Sequence, residues 1–322
     1  MRKFFKILLF VIIGIVVLVG IAAAYISMRS LPHHTPEKIA VKVEYTPQRV
    51  EHGVKLASML CKSCHYNDDT HKFTGRELTE APQFGKIFSK NITKDPNAGI
   101  AKWTDGELIY FLRTGIRPDG TYIPPYMPKL AHISDEDMFS IISFLRSDNT
   151  WVQADPTEMQ DSKTSFLTNF LCTIGAMKPF PYPKSPIPGP DTTDPEKYGK
   201  YIALYQYECF ACHSKDFATN DYFVPEKSPG FFGGGNKMYK MDGTEIHTLN
   251  ITNDANTGIG GWSEEDFIKA VKFGQPPLGQ PALRYPMIPY SGLTDQEARA
   301  IYAYLKTVPK ITNKVERKFD AE

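Results

Sequence analysis

The 322-residue chain is long enough for two ordinary domains, and 42% hydrophobic residues places it outside the composition of disordered proteins. Its formal charge of +1 misleads: residues 1–29 hold Arg2, Lys3, Lys6 and Arg29 and no acid, which leaves 33 basic against 36 acidic residues, a net −3. A near-neutral remainder without a basic block argues against nucleic acid as a partner.

Taken in chain order, the first feature is an apolar run over 7–26, preceded by Arg2, Lys3 and Lys6. Twenty residues of helix rise about 30 Å, the thickness of a bilayer core. The rival reading is a cleaved signal peptide, with Ala22, Ala23 and Ala24 at the cleavage site. Cleaved apolar regions usually run about 7–15 residues, and this one is longer. The expectation is a retained transmembrane anchor over 1–28. The basic residues ahead of it keep the N-terminus cytoplasmic, so everything after Arg29 lies on the exported, periplasmic side of a bacterial inner membrane. A linker over 29–46 follows.

The next segment, 48–60, reads as a helix and runs into CKSCH at 61–65; a second helical segment, 196–208, runs into CFACH at 209–213. Cys-x-x-Cys-His is the attachment sequence of c-type haem. Cys61 and Cys64, or Cys209 and Cys212, would bind the two vinyl groups of one porphyrin, and His65 or His213 would present an imidazole to its iron. Redox dithiols and zinc knuckles share Cys-x-x-Cys alone, but zinc needs four compatible ligands and each copy clusters three. Five cysteines at these spacings do not read as a disulfide framework. The fifth, Cys172, reads as a buried free thiol.

Downstream the sequence repeats itself. NITKDPNAGIAKWTDGELIYFLRTG at 91–115 aligns without gaps on NITNDANTGIGGWSEEDFIKAVKFG at 250–274, and SDEDMFSIISFLRS at 134–147 aligns on TDQEARAIYAYLKT at 294–307. About 11 extra residues separate motif from repeat in the second copy, and FFGGGNKMYK is expected within that insertion. Thr104 with Glu107, Ser134 with Asp137, Ser263 with Asp266 and Thr294 with Glu297 read as capping boxes at helix starts. Gly115 and Gly274 stand where left-handed C-terminal caps belong. Met138, Ile141, Ile142 and Leu145 in one closing helix, and Ala298, Ile301, Tyr302 and Leu305 in the other, share one face.

Between the middle and closing helices lie YIPPYMPKL and LRYPMIPYSG, two stiff Pro-rich loops each holding one methionine, Met127 and Met287, at matching repeat positions. A gap-filling methionine needs no such restraint; a weak thioether ligand to haem iron does. These two are the expected second axial ligands. His132 follows Met127 closely but has no histidine counterpart, Met238, Met241 and His247 are read as unmatched, and His33, His34, His52 and His71 as solvated. Asn91 and Asn250 are expected to hold turns near the haem pocket. Trp103 and Trp262 are expected to pack, with a propionate contact in addition, and Tyr126 and Tyr290 to flank the haem edge.

These residues resemble class I c-type cytochromes. The NIT…TGIG…W stretch with a Met-Pro loop is similar to the membrane-associated cytochrome c subunits of quinoprotein alcohol and sugar-acid dehydrogenases, over about 47–150 and 195–310. That family carries an apolar helix and a Pro-rich stretch between haem domains, and SFLTNFLCTIGAM followed by KPFPYPKSPIPGP over 165–190 looks alike. Members usually carry three haems; this chain has two motifs and an anchoring helix.

The expected fold is therefore all-α: two tandem cytochrome c-like domains, 47–150 and 195–312, joined by a connector over 151–194 and followed by a tail over 313–322. The expected cofactors are two covalently bound haem c groups. With both irons saturated by His and Met, the expected role is electron transfer between a dehydrogenase or quinol-oxidising complex and a terminal oxidase or other acceptor, not catalysis. The alternatives are a dihaem peroxidase, which needs a displaceable ligand and an acid–base group, and a haem-based gas sensor.

Overall fold

The computed structural model describes residues 2–316; the expected tail lies outside the described residues from 317 onward. The chain is mostly helical. The first helix, α1 (Arg2–Met28), has no buried residue. It is the one described helix long and apolar enough to cross a membrane.

Beyond α1 the same element order occurs twice. An opening helix α2 (Pro47–Leu60) leads to α3 (Lys62–His65), then α4 (Asp105–Thr114) and the closing helix α5 (Asp135–Arg146). A short connector helix α6 (Phe166–Thr173) intervenes. Then come α7 (Pro195–Tyr201), α8 (Cys209–His213), α9 (Glu264–Phe273) and the closing helix α10 (Asp295–Thr307). Among the described residues the four strands are two- or three-residue antiparallel pairs: β1 (Gly85–Lys86) on β2 (Lys163–Thr164), and β3 (Lys237–Tyr239) on β4 (Glu245–His247). One continuous apolar core runs through both halves, from Val43 to Val308.

Helix termini follow local chemistry. Thr104–Glu107, Ser263–Asp266 and Thr294–Glu297 form full capping boxes, and Gly115 and Gly274 are left-handed C-caps. The fourth box is half-formed: the Ser134 hydroxyl accepts from Asp137 N, but nothing returns. The Asp137 carboxylate is engaged elsewhere, as shown below.

In each half the opening helix lies across the closing helix at a glycine. A Cβ on Gly53 would stand 2.0 Å from the Ser140 carbonyl oxygen, and one on Gly199 1.8 Å from that of Ala300. The two backbones touch there. From Gly53 to Cys61 is eight positions, from Gly199 to Cys209 ten. The longer path is taken up by a π-helical turn, Ile202–Gln206, and by Glu208 in left-handed conformation. The expected single helix over 196–208 is thus broken, because its extra residues cannot fit regular α geometry between two fixed points.

The insertion also falls elsewhere than expected. Gly75 N donates to His65 O and Gly234 N to His213 O, at 2.9 and 2.7 Å; Ile92 N and Ile251 N donate to Phe73 O and Phe232 O. FFGGG is therefore the counterpart of the first half's KFTGR. The extra residues form a loop closed by Lys215 N donating to Pro229 O. Met238 and His247 sit on the β3–β4 hairpin, where Met238 faces Ile246 and Lys237 faces His247. The first half has a matching pairing, Leu78 N to Ile87 O.

Substituting Gly199→Ala or Gly53→Ala should cost about 1–3 kcal/mol of overpacking, read from urea unfolding. Gly189→Ala, with nothing within 4 Å of the added carbon, is the control and should leave stability unchanged. Equal stabilities for all three proteins would mean that the helices are not in backbone contact.

Candidate functional site

Each Cys-x-x-Cys-His motif coils into a helical turn: His65 N donates to Cys61 O at 2.9 Å, and the second motif lies wholly within α8. One turn puts the first cysteine and the histidine, four residues apart, on a common face. His65 Nδ1 lies 2.8 Å from Lys90 O, and His213 Nδ1 lies 2.8 Å from Leu249 O. A carbonyl can only accept, so Nδ1 carries the proton and Nε2 presents its lone pair. Burial holds both imidazoles below the ordinary histidine range, which keeps them neutral. Neutral, oriented imidazole is what a metal ligand needs.

The carbonyl in the middle of each motif is held as well. Arg76 Nε and Nη2 donate to Ser63 O at 2.9 and 2.7 Å. In the second half Asn220 and Asn236 donate to Ala211 O at 2.8 and 3.2 Å. All four motif cysteines are free thiols. Each keeps some open surface, but loss of water around the sulfurs raises all four, Cys61, Cys209 and Cys212 to about 12, so they are protonated at neutral pH.

Beside the second motif lies an apolar pocket lined by Cys209, His213, Tyr207, Tyr290, Phe267 and Leu293 among others. Tyr207 carries a buried hydroxyl without a hydrogen-bond partner among the described residues. Its ring meets Tyr290 edge-on at 5.2 Å. Two thiols, one lone-pair imidazole and an apolar wall with an orphan hydroxyl fit a flat, largely apolar, covalently held group with polar substituents, such as haem c.

The other predicted residues fall as follows. Met127 and Met287 occupy the same position in matching turns: Met127 N donates to Pro124 O at 3.2 Å and Met287 N to Arg284 O at 2.9 Å. Both are half-buried. Met287 does not line the pocket, but its loop delivers Tyr290 to it. Tyr126 packs edge-on against Phe84 at 5.8 Å. Asn91 and Asn250 hold turns: Asn91 Nδ2 donates to Asp155 O and Thr157 O, Asn250 Nδ2 to Ile311 O, and each Oδ1 accepts a backbone N–H two residues on. Trp103 packs on Phe111 and Trp262 on the core.

What sequence reasoning missed is how the halves meet. Lys55 on α2 donates to both oxygens of Glu297 on α10, at 2.5 Å. Tyr201 on α7 donates to Asp137 on α5. Lys55 and Tyr201 each stand two residues after the crossing glycine, Gly53 or Gly199, and Asp137 and Glu297 are equivalent in the closing helices. His52 pairs with Asp137 at 2.6 Å, and its counterpart Tyr198 with Glu297 at 3.1 Å. His52 is therefore not merely solvated. Apolar contacts obey the same exchange: Met59 abuts Gly292, while Tyr205 meets the ring of His132 at 6.0 Å. The halves are joined about a pseudo-two-fold axis, the isologous arrangement of dimers. The only signal available in the sequence was an acid at 137 and 297, which capping alone explained.

The exchange brings each methionine loop to the other half's motif. Lys129 donates to the carbonyls of Pro124 and Met127, and burial, only partly offset by the Glu208 carboxyl beside Cys209, holds it down at about 7. Tyr285, two residues before Met287, lies beside Glu80 and near Arg76 and Cys64.

No protein-family model matches the chain. It is 30% identical over 261 residues to the cytochrome c subunit of alcohol dehydrogenase (quinone) from Gluconacetobacter polyoxogenes, covering 78% of this chain and 54% of that one. It is 27% identical over 271 residues to the fructose dehydrogenase cytochrome subunit of Gluconobacter japonicus, covering 77% and 50%. A dihaem c-type cytochrome from Cereibacter sphaeroides is 28% identical over 262 residues, covering 78% and 82%. The chain is thus a homologue of cytochrome c subunits of dehydrogenase complexes and spans about half the length of the dehydrogenase subunits it matches.

Burial raises the Glu297 carboxyl, but hydrogen bonds from Lys55 and Thr294 and the Lys55 charge outweigh it, and the net shift is downward from 4.5. Its contribution to stability is full above that ordinary value and is lost as pH falls through the lowered one. Lys55→Met should destabilise the protein by at most the roughly 3–5 kcal/mol of a broken buried pair, since Lys55 keeps 20% of its side chain exposed. The deficit relative to wild type should shrink as the carboxyl protonates. Chemical unfolding at pH 7 and in acid measures both; a deficit that grows in acid would contradict the pairing.

Proposed function

We propose that this chain is a membrane-anchored dihaem c-type cytochrome, built as two tandem cytochrome c-like domains over 47–150 and 195–312. It would carry single electrons between a dehydrogenase or quinol-oxidising complex and a terminal acceptor. The observation that carries this reading is the twofold occurrence of a helical Cys-x-x-Cys-His turn whose imidazole is clamped through Nδ1 to a distant carbonyl. Kinship with cytochrome subunits of dehydrogenases supports it.

Haem bound at each motif would supply one-electron iron chemistry in a covalently fixed position. Cys61 and Cys64 would hold one haem and Cys209 and Cys212 the other. His65 and Met127, and His213 and Met287, would be the iron ligands. The turn closed by each methionine N–H, with its flanking prolines, would restrain a thioether that is otherwise a weak and flexible ligand. Asn91 and Asn250 fix the chain beyond the closing helices; Tyr290 lines the pocket at the second motif, and Trp103, Trp262 and Tyr126 would pack around the haems. The crosswise approach of each methionine loop to the opposite motif favours electron passage within the chain. The apolar run over 7–26 would anchor the protein, with its N-terminus cytoplasmic and both haem domains on the exported side.

Purified protein should carry two covalently attached haems per chain and show the optical signature of His–Met ligation from both. Met127→Ala and Met287→Ala should each remove one such signature and lower the midpoint potential of one haem, with attachment retained. Fewer than two haems would sink the dihaem reading; a variant keeping both signatures would sink the ligand assignment at that site.

A further inference from the structure

The connector helix α6 has its polarity reversed. Its inward face is polar or small: Thr168, Asn169 and Cys172 are buried. Thr168 Oγ1 donates to Phe84 O at 3.2 Å and Ser165 Oγ to Gln83 O at 2.8 Å, pinning the helix to the turn Pro82–Phe84. Its outward face is apolar. Phe166, Leu167 and Ile174 are 48%, 54% and 58% exposed, with Phe170 and Leu171 half-exposed between them. Positions 166, 167, 170, 171 and 174 form one helical stripe. No charged residue occurs from 164 to 177, and exposed Lys163 and Lys178 flank the segment.

An apolar stripe turned outward on a helix whose polar side faces the protein needs an occupant. Its neighbour says which. α6 is the element against which α1 packs, and the half-buried residues of α1 are Ala23 and Ile26, at the end of its apolar run. A helix beside the last turn of a membrane span lies at the level of the lipid headgroups. The chain leaving α1 is stitched to the same region: His34 N donates to Gly120 O and Tyr122 N to Pro32 O, while Tyr122 OH donates to Lys178 O at 3.0 Å.

We propose that α6 lies in the membrane surface, with Phe166, Leu167, Phe170, Leu171 and Ile174 in the acyl–headgroup boundary and Lys163 and Lys178 at the phosphates. This holds the Met127 loop, through Tyr126 on Phe84, as the membrane-proximal face of the first half. The inference rests on the reading of α1 as a membrane span, and the test separates the two.

Full-length protein with Cys172→Ser is labelled with a nitroxide at Leu167→Cys, at Ile174→Cys, or at the control Asp191→Cys, and reconstituted into vesicles of phosphatidylcholine and phosphatidylglycerol. Flotation with the vesicles reports the span. In floated protein, labels at 167 and 174 should be relaxed several-fold more by oxygen than by a water-soluble nickel chelate, and the label at 191 the reverse. Nickel dominance at 167 and 174 overturns the proposal while leaving the span intact. Protection from both reagents marks a protein neighbour on α6 and overturns it equally. Failure to float removes the span, and the proposal with it.

Discussion

Backbone contact between the opening and closing helices, at Gly53 on Ser140 and at Gly199 on Ala300, sets where everything else in each half must lie. The opening helix ends where its motif begins, so the crossing point fixes the origin of the Cys-x-x-Cys-His turn. The closing helix begins just after the methionine loop, so the same point fixes the other side of the pocket. No side chain larger than hydrogen fits between the helices there. A looser crossing would let the two walls of the site slide independently, whatever residues they carried. The second half makes this visible: with two more residues between glycine and cysteine, it keeps the crossing and accommodates the excess as a π-helical turn ahead of the motif.

The helix pair that crosses inside each half also supplies the surface by which the halves join. Lys55 to Glu297 and Tyr201 to Asp137 are one contact made twice, with an ammonium in one instance and a phenol in the other. Two repeated halves that pair through equivalent surfaces obtain a defined relation between their two motifs without a dedicated interface. The extra loop closed at Lys215 and Pro229 then breaks the symmetry. Phe223 from that loop meets His132 at 5.7 Å and Phe180 of the connector at 5.5 Å, contacts with no counterpart in the first half.

Much of this was legible in the sequence, for reasons that mark where legibility stops. Capping boxes, C-cap glycines and apolar faces depend on residues within a turn or two, and Thr104, Ser263, Thr294, Gly115 and Gly274 behave as their neighbours dictate. Asp137 does not complete its box because a partner 64 residues away, Tyr201, competes for the carboxylate. The size of the insertion followed from cysteine and asparagine offsets, but its place did not, since FFGGG draws the eye as inserted while its hydrogen bonds mark it as the repeat of KFTGR. The reversed polarity of α6 was hidden because a short apolar segment carries no sign of which side faces inward. The histidine clamp was unreadable for the plainest reason: its acceptor is a backbone carbonyl, which any residue offers.

Identical donor sets need not make identical sites. The carbonyl at the centre of the first motif accepts from a guanidinium, Arg76, itself paired with Glu80; that of the second accepts from two neutral amides, Asn220 and Asn236. Behind Met127 stands Lys129, hydrogen-bonded to the carbonyls of the loop; at the same repeat position behind Met287 stands Pro289, which offers no donor. Groups of this kind, a few ångströms beyond the ligands, set the field at a metal and the stiffness of its weaker bond. If each motif holds a haem as proposed, a guanidinium on one motif carbonyl and two neutral amides on the other would give the two irons unequal surroundings, and with them unequal potentials.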